Sequence, residues 1–216
     1  MLNPTTLLDS KTSNDNARLL AGANPPDSCS RGSGACYTSA TRTLTLGNND
    51  SVTLGGGVYN FCQINFGNGA TVNIAAGAKI LLYIDSPGRP GSGCPTGTGG
   101  ISTGNNAYFS NPSQDPTALQ IVMYGQAPAW PTIEIPNNLT VYASIYAPDT
   151  GIKFHNNGSV VGGIAAKSIE FKNNAFVWDA RVNTIMFATT LVYYRGSWRQ
   201  CNSRNGSTTA PATGCL

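Results

Sequence analysis

A nine-residue pattern recurs along this chain and constrains its fold more than any other feature of the sequence. The pattern reads apolar, polar, apolar, any residue, Asn, Asn, two further residues and apolar. Six segments follow it with at most one departure each: 44–52, 64–72, 101–109, 133–141, 152–160 and 169–177. The last three segments start 19 and 17 residues apart. A fixed period of about 20 residues is typical of a solenoid, in which each repeat forms one coil.

The chemistry of the pattern indicates how each coil is built. Apolar residues two positions apart lie on the same side of a β-strand, so the two that open each segment should point into a core. The Asn pair should end the strand, because Asn tolerates the left-handed backbone conformation that a corner needs. Asn side chains in register can also form ladders along a stack. One coil alone cannot bury its apolar side, whereas a stack of coils can.

The spacing of the segments predicts the number of coils. Two intervals between starts, of 37 and 32 residues, are about twice the period, and each contains a strand-like run, at 79–84 and at 119–124. We therefore predict an all-β fold, a single-stranded right-handed parallel β-helix (solenoid) of about eight coils with capping segments at both ends. A β-sandwich with Asn-rich turns is the alternative, but sandwiches do not usually repeat their turn chemistry in phase.

The chain is predicted to have three parts. An N-terminal cap with a disulfide loop is expected at 1–42, the β-solenoid at 43–181, and a C-terminal cap with a disulfide-tied tail at 182–216. Caps are expected because the open end of a coil exposes unpaired strand edges and core side chains. Charged residues make up 11% of the chain, and the net charge of +3 is too small to imply nucleic acid by itself. No apolar window is long enough to predict a membrane span.

The cysteines favour an oxidising compartment. None of the six forms a Cys-x-x-Cys motif, and one His cannot complete a zinc site with them at a familiar spacing, so no metal or other cofactor is predicted. Disulfides place the chain outside the cytoplasm, and free buried thiols are the alternative. The expected pairs are Cys29–Cys36, Cys62–Cys94 and Cys201–Cys215. No signal peptide is recognisable, so a processed product or a fragment is expected.

The sequence offers no group of residues with a catalytic pattern. Glu134, Lys153 and Glu170 share one outward position of the repeat, so they should form an alternating charge ladder on adjacent coils rather than a catalytic acid pair. His155 takes a position held by Pro136 and Lys172 in sister segments, which indicates a solvent-facing side chain. No catalytic residue is therefore predicted.

Aromatic and basic residues gather in one loop and toward the C-terminus. Such residues could bind a glycan or single-stranded DNA, although a cap that hides the open core explains them better. The candidate ligand-binding residues are Trp130, Trp178, Tyr193, Tyr194, Arg195, Trp198 and Arg199.

Three consecutive runs suggest a family. The runs at 143–149 (ASIYAPD), 161–168 (VGGIAAKS) and 169–175 (IEFKNNA) resemble a bacterial surface domain found toward the C-terminal end of PilX-type pilus-assembly proteins. The resemblance implies an extracellular β-solenoid at the cell surface, with no known catalytic residues and with pilus or surface-fibre subunits as partners.

The expected function is therefore non-enzymatic, with adhesive or structural presentation on a bacterial pilus or other surface fibre. The alternatives are a carbohydrate-active β-helix enzyme, such as a polysaccharide lyase or hydrolase, and a self-assembling solenoid scaffold. A carboxylate cluster in a groove would favour the enzyme, and capped ends would oppose the scaffold.

Overall fold

The structure is a computed structural model, and it describes residues 9–20, 27–30, 36–125, 132–135, 137, 140–170 and 175–184. All of them belong to one compact unit, Met1–Ile185, whereas a second unit, Met186–Leu216, contains no described residue. Residues 9–12 are helical, and 3₁₀ helices occupy Asn16–Leu19 and Ala180–Thr184. The strands of the described part are β1 (Ser28–Ser30), β2 (Tyr37–Thr38), β3 (Thr43–Leu46), β4 (Ser51–Leu54), β5 (Gly57–Phe61), β6 (Gln63–Phe66), β7 (Thr71–Ile74), β8 (Ile80–Ile84), β9 (Ile101–Ser102), β10 (Tyr108–Ser110), β11 (Leu119–Met123), β12 (Thr132–Ile135), β13 (Thr140–Phe154), β14 (Ser159–Glu170) and β15 (Ala175–Trp178).

The first face of the solenoid contains the strands that open the nine-residue segments. β3, β6, β9 and β12 stack in parallel, and the stack continues through the last parts of β13 and β14. This register aligns the first apolar residues of all six segments: Leu44, Ile64, Ile101, Ile133, Ile152 and Ile169. The repeats therefore stack as successive coils, and the predicted β-solenoid is confirmed.

The second face contains the strands that follow the Asn corners. β4, β7 and β10 pair in parallel, and the first parts of β13 and β14 pair in parallel with β15. Asn111 follows β10 and donates its side-chain amide to the Tyr142 carbonyl of β13 at 3.0 Å. That bond connects the two groups of strands along one side of the stack.

The third face corrects the predicted number of coils. β5, β8 and β11 pair in parallel, and the face continues through the middle parts of β13 and β14. The runs at 79–84 and 119–124, which the spacing assigns to additional coils, lie on this face as the third sides of coils already counted. The structure therefore has about six turns rather than eight. The two long intervals contain surface loops, such as residues 85–100, and their length does not correspond to whole coils.

The core lies between the three faces. Leu44, Ile64 and Ile152 are at most 1% exposed, and the register partners Ile135 and Phe154 are buried beside them. Full burial of each such side chain stabilises the fold by about 1.5–3 kcal/mol, which a single coil could not gain.

The corners adopt the backbone conformation that the Asn pairs predict. Asn49, Asn106 and Asn157 have φ angles of 59°, 57° and 56°, and Gly69 at the equivalent position has a φ of 68°. These are left-handed conformations, which Asn and Gly tolerate better than other residues. At these four corners, the second position of the pair therefore turns the chain from the first face to the second.

The first position of each pair forms the predicted ladder. The backbone N–H of Asn68 donates to Asn48 Oδ1, and the backbone N–H of Asn105 donates to Asn68 Oδ1, each at 2.9 Å. Each amide side chain thus satisfies a backbone donor in the next coil. The ladder holds the first three corners in register.

Residues before Thr43 cover the N-terminal end of the stack. β1 runs antiparallel to β4 on the second face, and β2 runs antiparallel to β3 on the first. On the third face the Asp15 N–H donates to the Val58 carbonyl at 2.7 Å, and Asn16 Oδ1 accepts from the Asn60 N–H at 3.0 Å. All three strand edges of the first turn thus have partners. The boundaries of the three predicted parts of the chain stay predictions.

Candidate functional site

A row of charged side chains lies on the outside of the first face. Glu134, Lys153 and Glu170 are register partners on successive strands, in the predicted order. Among the described residues no direct ion pair joins Lys153 to either glutamate. Instead, His155 Nε2 lies 3.7 Å from Glu134 Oε2. Sequence reasoning missed this contact because it joins different positions of neighbouring segments.

A small notch interrupts the first face at the third coil. The notch has a volume of about 120 Å³ and is lined by Gln63, Gly99, Ile101, Ser102 and Glu134. Gly99 and Ser102 have little or no side chain, whereas Gln63 on the second coil and Glu134 on the fourth coil are long. The notch is the space that remains between the two long side chains. Gln63 is fixed there, since its Oε1 accepts from the Gly99 N–H at 2.8 Å.

A buried group of arginines surrounds Asp85 behind the long loop. Arg89 Nε donates to Asp85 Oδ1 at 2.7 Å, and Arg42 lies 3.4 Å from Asp85 Oδ2. Arg42 also donates to Asn60 Oδ1 and to Cys94 Sγ. An isolated buried charge would be costly, so these partners are needed for the two arginines to lie below the surface. The group ties the loop at 86–100 to the first two coils and leaves the Asp85 carboxylate no room for chemistry.

Sequence reasoning did not anticipate this group. The available signal is that Arg89 lies in a loop rich in Pro, Gly and Ser, four residues after Asp85, the carboxylate that follows β8.

Both of the predicted disulfides that lie in the described part of the chain are present. Cys29 is bonded to Cys36 and Cys62 to Cys94, with Cα separations of 6.2 and 5.4 Å. The first bond connects β1 to the residue before β2, and the second connects the end of β5 to the long loop. The third predicted pair, Cys201–Cys215, lies outside the described residues.

A buried tyrosine fixes the N-terminal cap to the third face. The Tyr59 hydroxyl donates to the Asp27 carboxylate at 2.9 Å, and Arg18 Nε lies 3.5 Å from the same carboxylate. Burial first, and then the hydrogen bond to Asp27, raise the pKa of Tyr59 well above its usual value of 10.0. The neutral hydroxyl is therefore part of the folded state over the physiological range of pH.

Trp178 is the candidate ligand-binding residue that the structure describes. Its side chain is 55% exposed, and its ring edge lies beside Gly163 together with Val182. Close by in sequence, the Arg181 guanidinium donates to both oxygens of Asp179 and lowers the pKa of that carboxyl to about 2. The other candidates lie outside the described residues: Trp130, Tyr193, Tyr194, Arg195, Trp198 and Arg199.

The outside of the second face carries hydroxyl groups in regular rows, and sequence reasoning missed this feature. Ten of its twelve described outward positions on β1, β4, β7, β10, β13 and β14 are Ser, Thr or Tyr, and none is charged. Those three residue types make up 49 of the 216 residues, so they are strongly concentrated here. We call this surface the hydroxyl face: Ser28, Ser30, Ser51, Thr53, Thr71, Asn73, Tyr108, Ser110, Thr140, Tyr142, Ser159 and Val161.

Two properties make the hydroxyl face a regular array. Its side chains are half-buried or exposed, and on every strand except β1 they alternate with buried residues. Adjacent strands lie about 4.8 Å apart, and successive outward residues on one strand lie about 6.7 Å apart. The Thr140 and Ser159 hydroxyls are hydrogen-bonded across two strands at 2.7 Å. The signal that could have revealed the face is the polar residue on either side of the last apolar position in the first four repeats.

Comparison with known proteins identifies a family. A family model described as a domain of unknown function, DUF7305, matches residues 7–185. The chain belongs to this family. Neither the curated proteins nor the solved structures include a match to the chain. Within the described ranges, no helix has both the length and the apolar character needed to cross a membrane.

Proposed function

We propose that this member of the DUF7305 family is a non-enzymatic, extracellular β-solenoid that serves structural or adhesive presentation on a bacterial pilus or other surface fibre. The observation that carries the proposal is the disulfide-braced stack whose first and second faces are extended, in-register surfaces. A stack of this kind offers a rigid outer surface of regular chemistry, and repeat proteins use such extended surfaces for binding. The resemblance of 143–149 and 161–168 to PilX-type proteins supports the pilus assignment.

The two cysteine pairs support the proposed extracellular location. Disulfides persist in oxidising compartments and are reduced in the cytoplasm. The bond Cys62–Cys94 closes a loop of about 30 residues, which in the chain-entropy model contributes roughly 3–4 kcal/mol. A fold whose stability depends on the disulfide to this extent is suited to a compartment in which the bond is not reduced.

The proposed winding of the solenoid is right-handed. Parallel strands of one sheet are connected here through the other two faces, as in β6, β7, β8 and β9. Connections between parallel strands are right-handed in nearly all proteins, because strand twist favours that path.

The carboxylates support a role without catalysis. Asp85 is enclosed by two arginines, and Asp179 is paired with Arg181. Glu134 and Glu170, which share the outward row of the first face, are the pair to consider for the alternative, a carbohydrate-active enzyme. Their strands are two inter-strand spacings apart, about 9.6 Å. This is near the upper limit of the separation between the two carboxyl groups of an inverting glycosidase. The strand of Lys153 lies between them, where the attacking water of such an enzyme would need room.

The covered N-terminal end argues against the second alternative, a scaffold that stacks end to end. β1, β2 and the residues from Asp15 to Asn16 already occupy the three edges that another copy would need. A fibre would then have to use the sides of this solenoid or segments beyond the described residues.

Surface labelling on intact bacteria that express the chain naturally tests the proposal. We expect an antibody raised against the folded protein to label intact cells, and the protein to be recovered with fibres sheared from them. Its thiols should react with a maleimide only after reduction. A cytoplasmic marker should stay unlabelled before lysis. Labelling that needs lysis, or thiols that react without reduction, would reject the location.

The enzyme alternative is tested separately by release of reducing ends from polysaccharides. We expect the wild type and a Glu134→Gln variant to release equally little. Release that depends on Glu134 would replace the structural assignment with a hydrolase.

A further inference from the structure

The hydroxyl face has a composition that the architecture alone does not require. The same coils carry Glu134, Lys153 and Glu170 on the outside of the first face, so the solenoid accepts charge on an outward surface. On the outside of the second face the described positions carry none. A face kept free of charge has no electrostatic attraction for polyanions such as nucleic acids, whose binding depends on neutralising phosphates.

The chemistry of the face matches a polyhydroxylated ligand. A hydroxyl both donates and accepts hydrogen bonds, so a row of hydroxyls can pair with a row of sugar hydroxyls in either sense. The rows at about 4.8 and 6.7 Å repeat over several strands, which favours a polymer with repeating groups over a small molecule. Each hydrogen bond to a sugar hydroxyl is weak. Once one sugar of the polymer is bound, however, its neighbours are held at a high effective concentration next to the array, so many weak contacts together give tight binding.

Two tyrosines indicate a sugar rather than another hydroxyl-bearing surface. Tyr108 and Tyr142 lie on neighbouring groups of strands that the Asn111 side chain connects. Both residues are half-buried. An aromatic ring with a polar tip suits a surface that is apolar on its faces and polar at its edges, as a pyranose is.

We propose that the hydroxyl face binds neutral polysaccharide, with the chain lying across the strands and the rings of Tyr108 and Tyr142 packing against sugar rings. The inference deepens the proposed adhesive function and rests on it, since it names the class of ligand. It gives the solenoid one face for binding and leaves the charged first face outside the contact.

Retention on insoluble polysaccharide tests the inference with the full chain. The probes are microcrystalline cellulose and chitin as neutral polymers, with immobilised alginate as the anionic comparison. We expect retention on at least one neutral polymer and little on alginate. Replacing both tyrosines (Tyr108→Ala with Tyr142→Ala) should weaken retention by at least tenfold.

A charge placed in the centre of the face provides an independent variant. Thr71→Lys should lower retention on the neutral polymer at least tenfold, because the buried ammonium would lose water without gaining a partner. The matched control is Asn65→Lys, an outward residue of the same coil on the first face, which should bind as the wild type does. Thermal melts identify any variant that has not folded, and the lysine pair decides the case if the tyrosine variant fails to fold.

Three results would overturn the inference: no retention of the wild type on either neutral polymer, equal retention on alginate, or equal loss in Thr71→Lys and Asn65→Lys. Inhibition of ice recrystallisation without glycan retention would assign the face to ice and also overturn it. Surface labelling of cells would be unaffected by these outcomes, so failure of the glycan inference is distinguishable from failure of the proposed location.

Discussion

Alanine at Gly67 is the substitution that tests the stacking of the corners most directly. A Cβ at this position would lie 2.5 Å from the Gly47 carbonyl carbon and 2.7 Å from the Asn48 nitrogen, both backbone atoms of the preceding coil. Gly67 does not have a positive φ, so the constraint is closeness between coils and not backbone conformation. Ordinary contact would require the corner to open by about 1 Å, because a core packed to crystal density does not absorb such an overlap locally.

The hydrogen bonds at the corner set the cost. Gly67 donates to the Leu46 carbonyl at 2.7 Å, Asn68 to Asn48 Oδ1 at 2.9 Å, and Asn49 to the Asn68 carbonyl at 2.8 Å. Lengthening all three by about 1 Å removes most of their net contribution, about 1 kcal/mol each. Alanine also lowers the conformational entropy of the unfolded chain, which offsets up to about 1 kcal/mol of this loss of stability. We expect a net loss of about 2–3 kcal/mol, which in a domain of this size lowers Tm by roughly 4–12 °C.

Two glycines supply matched controls. Gly47 has the same position in the first segment, where a Cβ would meet the Asp50 carboxylate at 2.9 Å, a side chain that can rotate away. Gly77 has a φ of 73° and no atom within 4 Å of an added Cβ, so its alanine variant measures conformational strain alone, about 1 kcal/mol. Urea unfolding of the three variants provides the comparison. If Gly67→Ala is as stable as Gly47→Ala, close packing between the coils does not constrain this corner.

Three other substitutions test separate parts of the molecule. Thr103 has a buried hydroxyl without a hydrogen-bond partner in the described structure, so Thr103→Val should raise the unfolding free energy by about 1 kcal/mol, whereas an unsatisfied site that holds water would show no gain. Tyr59→Phe should cost about 1–3 kcal/mol at neutral pH by removing the hydrogen bond to buried Asp27. Because folding raises the pKa of Tyr59, this part of the stability is complete below pH 10.0 and is lost as the pH rises toward the folded pKa; melts above pH 10.0 should fall less steeply in the variant. Lys153→Glu places three like charges in one row, so it should lower stability by up to about 1 kcal/mol at low salt and less at high salt, and an equal loss at both would refute the electrostatic cause.

The sequence predicts the stacking well because the repeat encodes it redundantly. Each segment specifies an inward pair and a corner that tolerates positive φ, and six copies agree on the register. A shift of one residue would turn every apolar side chain to the surface, so this register is strongly favoured. The disulfides Cys29–Cys36 and Cys62–Cys94 were predictable for a different reason, since the first closes a short Gly-rich loop and the second fixes a long loop that has little other source of order.

The number of coils and the buried arginines were not predictable in the same way. Spacing along the chain cannot distinguish an additional coil from a loop between two faces, and the interval from 64 to 101 contains the third-face strand β8 followed by such a loop. Arg42 and Arg89 meet through Asp85 although they are far apart in sequence. Their pairing depends on which strand ends lie next to each other, which the repeat alone does not specify.

The fourth position of the repeat shows how corner geometry and surface chemistry are connected. The pattern allows any residue there, yet the first three segments have Gly47, Gly67 and Gly104, and added Cβ atoms at the latter two would overlap the preceding coil. His155 has the same position and carries a Cβ, so the backbone at its corner cannot approach the preceding coil in the same way. Its N–H still donates to the Ile135 carbonyl at 2.9 Å, so the strands remain paired while the corner differs. The His155 imidazole lies 3.7 Å from Glu134, and the charged row lies in the part of the stack where this position of the repeat is not glycine.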